Sequence, residues 1–104
     1  MNNQSFYIAG VQFRSKEDIS QALKVLKVGD ILILDLEPTN HFDPNAVRVL
    51  KDDLFLGYVP KKYSSEVAGM LSIGTSIQCT LDQLNPDAKT YEMFKVTINI
   101  PEVL

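Results

Sequence analysis

Residues 31–34 (Ile-Leu-Ile-Leu) and 46–50 (Ala-Val-Arg-Val-Leu) are apolar runs suited to strands, but the segment joining them is no minimal turn. It holds two prolines, two asparagines, the only histidine and a phenylalanine. A hairpin needs roughly two to five connecting residues with Gly or Asn at the turn. A longer loop with so many specified side chains, slung between two core strands, is the pattern of a functional loop on a rigid scaffold.

The flanking chain supplies that scaffold. Residues 5–13, Ser-Phe-Tyr-Ile-Ala-Gly-Val-Gln-Phe, are rich in aromatic and β-branched types and are expected to form a strand. Gly10 interrupts it, either as a barrel-corner bend or to re-aim Gln12, Phe13 and Arg14. Ser15 to Asp18 resembles a capping box, with Asp in place of Glu or Gln, so a helix should begin there. Ile19, Ala22, Leu23 and Leu26 give that helix one apolar face, and Gly29 is expected to stop it after Lys27 and Val28.

Residues 31–34 are too short for an independent helix and are expected to be a strand buried on both faces. After the loop, residues 46–50 and 54–59 form two more strands around a turn at Lys51-Asp52-Asp53. Tyr63, Val67, Met70 and Leu71 then mark a second short helix running to Gly74. Lys61 and Lys62 stand at its beginning. Within the first turn they would oppose the helix dipole and suit a bound phosphate or carboxylate; ahead of a cap at Ser64 they would simply be solvated.

Ile77, Cys79 and Leu81 alternate with polar residues over 76–81, and Phe94, Val96, Ile98 and Ile100 do the same in the last strand, which Pro101 should end. Asn85 to Ala88 makes the turn between them. Cys79 is thus a core residue, without a neighbouring base to make it a thiolate. The resulting order is β-α-β-β-β-α-β-β. It predicts a mainly β fold, a small OB-like barrel with two short helices covering its openings or edges, with a ferredoxin-like sandwich as the other architecture. With 104 residues the chain is expected to be one domain, residues 1–104, around one core.

Three functions compete for the loop. Asp35, Glu37, His41 and Asp43 are metal-ligand or hydrolytic types, but their spacing matches no ligand pattern and there is no second histidine; no Ser-His-Asp or Cys-His set is apparent either. No metal, cofactor or catalysis is therefore expected. The second function is a cleft for single-stranded nucleic acid, where Phe13, Phe42 and Tyr58 stack on bases. Thirteen acidic against ten basic residues, a formal charge of -3 and a pI near 5.0 exclude a bulk positive field, so phosphate contacts must be local. The third is a protein-interaction module that binds no DNA, which the acidic pI favours. Clustering of Arg14, Arg48, Lys61 and Lys62 beside the loop would separate the last two. The absence of an N-terminal apolar run or a membrane-length apolar span leads us to expect a soluble, cytoplasmic protein with no membrane partner.

Gly10-Val-Gln-Phe13, the run from Leu34 to Val49 and Leu56-Gly-Tyr-Val-Pro60 together resemble the HIRAN domain, in a stand-alone bacterial-type form, over nearly the whole chain. The resemblance implies a modified OB-type barrel that grips the 3′ end of single-stranded DNA, in DNA repair or replication-fork processing. It implies that Asp43 accepts a hydrogen bond from the free 3′-hydroxyl, that Phe42 lies beside the terminal nucleotide, that Phe13 stacks, and that Lys61 meets the backbone. A helicase or nuclease is a further implied protein partner. The expected DNA-binding set is Phe13, Arg14, Asn40, Phe42, Asp43, Tyr58, Lys61 and Lys62. Asn45 is expected to shape the loop, a role also open to Asn40, and Asp43 before Pro44 is also a natural turn residue. Gln12 stands where DNA-gripping members carry arginine, and Thr39 where they carry asparagine, so weaker DNA binding with a shallower salt dependence is expected.

Overall fold

The structure, a computed structural model, describes residues 2–100. Six strands and two α-helices follow one another as β1 (Asn2–Tyr7), α1 (Lys16–Val25), β2 (Ile31–Leu36), β3 (Val47–Lys51), β4 (Leu54–Tyr58), α2 (Lys61–Ser72), β5 (Gln78–Leu84) and β6 (Phe94–Ile100). The element order is the expected one. The strands form one sheet in the order β1-β6-β5-β2-β3-β4, with every neighbouring pair antiparallel. It curls into an incomplete OB-like barrel, which sets aside the ferredoxin-like sandwich. The two edges meet at Ala9 and Tyr58, whose backbones exchange N–H···O bonds of 2.9 and 2.8 Å.

Alternation decides which side chains face inward. Val47 and Val49, Cys79 and Leu81, and Phe94, Val96, Ile98 and Ile100 are buried on one face of their strands. Ala22 from α1 and Leu26 just after it, with Val67 and Ala68 from α2, complete the same core. The Phe6 ring from β1 stacks on Tyr63 of α2 with centroids 5.2 Å apart, tying that helix to the sheet beside the loop.

Several boundaries differ from expectation. The first strand stops at Tyr7: Gly10 adopts φ 74° and leads into a 3-10 turn, Val11–Phe13, which buries Val11 and turns Phe13 outward. Ser15 caps α1 as expected, accepting from the Asp18 amide at 3.0 Å, but the helix ends at Val25. Leu26 is already extended, and Gly29 belongs to the following turn, where Asp30 accepts from the Lys27 amide at 2.9 Å. Strand β2 is not buried on both faces, since Ile31 and Ile33 are 53% and 50% exposed on the outer side. Strand β3 begins and ends one residue later, β4 ends at Tyr58, and α2 ends at Ser72. Strand β5 extends to Leu84, with an irregularity in its pairing between Leu81 and Gln83. The expected stop at Pro101 lies outside the described residues. Among those described, no helix is long and apolar enough to cross a membrane.

Candidate nucleic-acid interface

The loop between β2 and β3 is folded by its own backbone and by one asparagine. The Glu37 amide donates to the Ala46 carbonyl at 2.9 Å and the Ala46 amide to the Asp43 carbonyl at 3.0 Å, so the loop closes on itself where the strands begin. Inside it, Asn40 Oδ1 accepts from the amides of Phe42 and Asp43 at 2.8 and 3.0 Å, while its Nδ2 donates to Glu37 Oε1 at 2.7 Å. Tyr58 from β4 donates its hydroxyl to the same Glu37 oxygen at 2.8 Å. Burial, followed by this bond to a carboxylate, raises the Tyr58 pKa above the usual phenol value.

These bonds revise the division of labour in the loop. Asn40 lines the cleft described below, but its amide is engaged in shaping the loop, the role expected chiefly of Asn45. Asn45 supplies its backbone amide, which donates to Asp43 Oδ1 at 2.9 Å. Asp43 is therefore a turn residue and a cleft residue at once. Its Oδ2 accepts from the Ser64 hydroxyl of α2 at 3.1 Å.

The loop, the 3-10 turn after Gly10, the end of β4 and the start of α2 enclose a cleft of about 650 Å³. Phe13, Arg14, Asn40, Phe42, Asp43, Tyr58 and Lys61 line it together with Ala9, Ala46 and Val59. Phe13 is 76% and Phe42 93% exposed, so neither ring is held by the core. Asp43 is the one acid among the lining residues, and its oxygens meet neutral donors. Arg14 lies with its guanidinium carbon 4.0 Å from the centroid of the Phe55 ring, which itself meets Tyr58 edge-on.

The remaining expected residues go elsewhere. Lys62 reaches over the Tyr63 ring at 5.5 Å and does not line the cleft. Arg48 is bonded to Asp35 and lies 3.6 Å from Glu37, and the Asp35 hydrogen bond, against the effect of burial, raises its pKa. Of the four cations named as a test, two thus border the cleft. Lys61 and Lys62 open α2 directly after Pro60, so Ser64 is no cap; it sits 2% exposed within the first turn. That burial was readable in principle, because Ser64 stands three and four residues before Val67 and Ala68 on the packed face. His41 is exposed, and among the described residues no group of three His, Cys, Asp or Glu side chains is disposed to hold a metal. The metal grouping fails because Asp35 and Glu37 are committed to Arg48, Tyr58 and Asn40.

The family profile described as HIRAN domain matches residues 1–98. The chain belongs to the HIRAN family. HIRAN domains are DNA-binding modules rather than catalysts. A Lactobacillus plantarum protein of known crystal structure shares the fold with a TM-score of 0.78 at 19% identity, covering 93% of this chain and 95% of that one. The HIRAN domain of human HLTF superposes with a TM-score of 0.66 at 14% identity, covering 93% of this chain and 71% of that one. A search of the curated proteins found no match. At these identities the structural likeness bears on the HIRAN barrel alone.

Proposed function

We propose that this HIRAN domain binds the 3′-hydroxyl end of single-stranded DNA in the cleft between the β2–β3 loop and α2. The observation that carries the reading is the pair of exposed rings, Phe13 and Phe42, bordering one cleft with a single carboxylate and two cations. Rings free of the core stack on bases, and stacking tolerates any sequence. Arg14 and the N-terminus of α2 with Lys61 offer donors to one or two phosphates. Asp43 accepts from a terminal hydroxyl and repels a phosphate in the same position, so it favours an end over a continuous strand. The family setting, DNA repair or fork processing in the cytoplasm beside a helicase or nuclease, belongs to the same proposal.

Fluorescence anisotropy with short single strands tests it. A 3′-hydroxyl end should bind more tightly than a 3′-phosphate end, and Asp43→Ala should remove the difference. Equal affinity for both ends in the unaltered protein would remove end recognition. The second reading, a protein-interaction module without DNA binding, is favoured by the engagement of Arg48 with Asp35 and Glu37 and by the exposed Ile31 and Ile33 on the outer face of β2. Its signature is no binding to either end at low salt.

A further inference from the structure

Ser64 is the one polar residue among the buried side chains described, on a helix face otherwise occupied by Val67 and Ala68. Its hydroxyl lies within bonding distance of two acceptors, Asp43 Oδ2 at 3.1 Å and the Lys61 carbonyl at 3.3 Å. A hydroxyl has one proton, and the carboxylate is the stronger acceptor because it is charged. The Asn45 amide holds the other Asp43 oxygen at 2.9 Å. One donor comes from the loop and the other from α2, so the two bonds together hold the Asp43 side chain about both its Cα–Cβ and its Cβ–Cγ bond. Each oxygen keeps a free lone pair for a ligand.

From this arrangement we infer that Ser64 is a positioning residue: it fixes the Asp43 carboxylate in the cleft and thereby sets the preference for a hydroxyl-terminated strand. The inference rests on the end-binding reading above and adds to it the device that holds the carboxylate. With Asn45 alone, Oδ1 stays tethered, but the side chain can pivot on that bond by turning about Cα–Cβ and Cβ–Cγ together, which carries Oδ2 toward solvent. A carboxylate free to swing accepts from a terminal hydroxyl less well and can turn away from a terminal phosphate. Both effects reduce discrimination, while stacking and phosphate contacts remain.

The test uses Ser64→Ala, which removes the hydroxyl without adding volume and places a better helix former in α2, and Ser64→Thr, which retains the hydroxyl. Two quantities are read. In the free protein, three-bond NMR couplings across the Asp43 Cα–Cβ bond should report one side-chain rotamer in the wild type and averaging in Ser64→Ala. With short single strands, the ratio of affinities for 3′-hydroxyl over 3′-phosphate ends should fall about three- to tenfold in Ser64→Ala, the range expected for one lost hydrogen bond, and recover in a folded Ser64→Thr.

Wild-type couplings in Ser64→Ala overturn the inference whatever the DNA result. An unchanged affinity ratio in Ser64→Ala, with both ends weakened equally, also overturns it and leaves Ser64 a packing residue. If the wild type shows no end preference while the couplings average in Ser64→Ala, the end-binding reading fails and with it the selectivity half of the inference, but the fixing of Asp43 by Ser64 stands.

Discussion

Ala9 and Tyr58 join the two edges of the sheet through a single antiparallel bridge, and Gly57, next to Tyr58, lies directly beneath it. A Cβ on Gly57 would come within 2.3 Å of the Ala9 carbonyl oxygen and 2.7 Å of Ile8 Cγ2. Backbone cannot swing aside as a side-chain tip can. Gly57→Ala should therefore force the edges apart and destabilise the fold by about 1–3 kcal/mol, the range for overpacking. Urea unfolding measures this, and an unchanged midpoint would show the closure to be loose.

Cys79 is fully enclosed by the sheet, and burial, with a smaller contribution from Asp82, pushes its pKa from 9.0 up to about 12. The native state keeps this proton at a pH where the unfolded chain releases it. Its contribution to stability is thus complete below about pH 9 and is lost as the pH rises toward 12. Tyr58, whose pKa is also raised, adds a loss of the same sign at the alkaline end. Stability measured by urea unfolding should fall between pH 9 and 10.5, and Cys79→Ala, though less stable at pH 7, should fall less steeply. Parallel slopes for the two proteins would count against this assignment. At pH 8 a thiol reagent should label Cys79 no faster than the protein opens.

Arg14 lies over the Phe55 ring and, among the described residues, pairs with no acid, which leaves its charge available to the cleft. Replacing it with Gln should weaken binding of single strands regardless of their sequence. If Arg14 meets one phosphate, the slope of log affinity against log salt should become shallower by about 0.7, the increment for one phosphate on a single strand. Anisotropy titrations over a salt series give both quantities. An unaltered slope would place Arg14 outside the contact.

How far such residues could be foreseen varies with the range of the interaction that defines them. The alternation in residues 94–100 identifies β6 and its buried face because that signal lies wholly within the strand. The capping of α1 by Ser15 is equally local. Gly10 marked an interruption, but the positive φ that ends β1 and turns Phe13 outward depends on closure against β4, far along the chain. The exposure of Ile31 and Ile33 was hidden for a similar reason: an apolar run does not say whether anything covers its outer face. In the loop, the residue types signalled function, whereas the roles of Asn40 and Arg48 emerged only with Tyr58, Glu37 and Asp35 in place. Ser64 is legible as a buried helix residue and illegible as the partner of Asp43, since 21 residues separate them.

Phe42 offers the cleanest separation of binding from folding. Because its ring is 93% exposed, Phe42→Ala removes almost no buried surface, and the thermal midpoint should stay within about 0.5 kcal/mol equivalent of the wild type. A ring that stacks on a base should be missed by about 1–3 kcal/mol in binding. Loss of stability without loss of binding would reverse the assignment.

Lys61 sets the two properties against each other. It occupies the first position of α2, whose first turn has no acidic residue and whose preceding Pro60 offers no capping side chain. A cation there opposes the helix dipole, whereas α1 places Glu17 and Asp18 in its first turn, as the dipole favours. Lys61→Glu should stabilise the protein by about 0.3–1 kcal/mol while weakening DNA binding, by removing a phosphate contact and adding a repulsive charge. Lys62→Ala is the control, since that side chain leans over Tyr63 and does not line the cleft; it should leave binding nearly unchanged. Thermal unfolding and anisotropy on the same three proteins decide the matter: a Lys61→Glu protein that is more stable and binds less supports selection of the lysine for a ligand, and one that binds as well as wild type removes Lys61 from the interface.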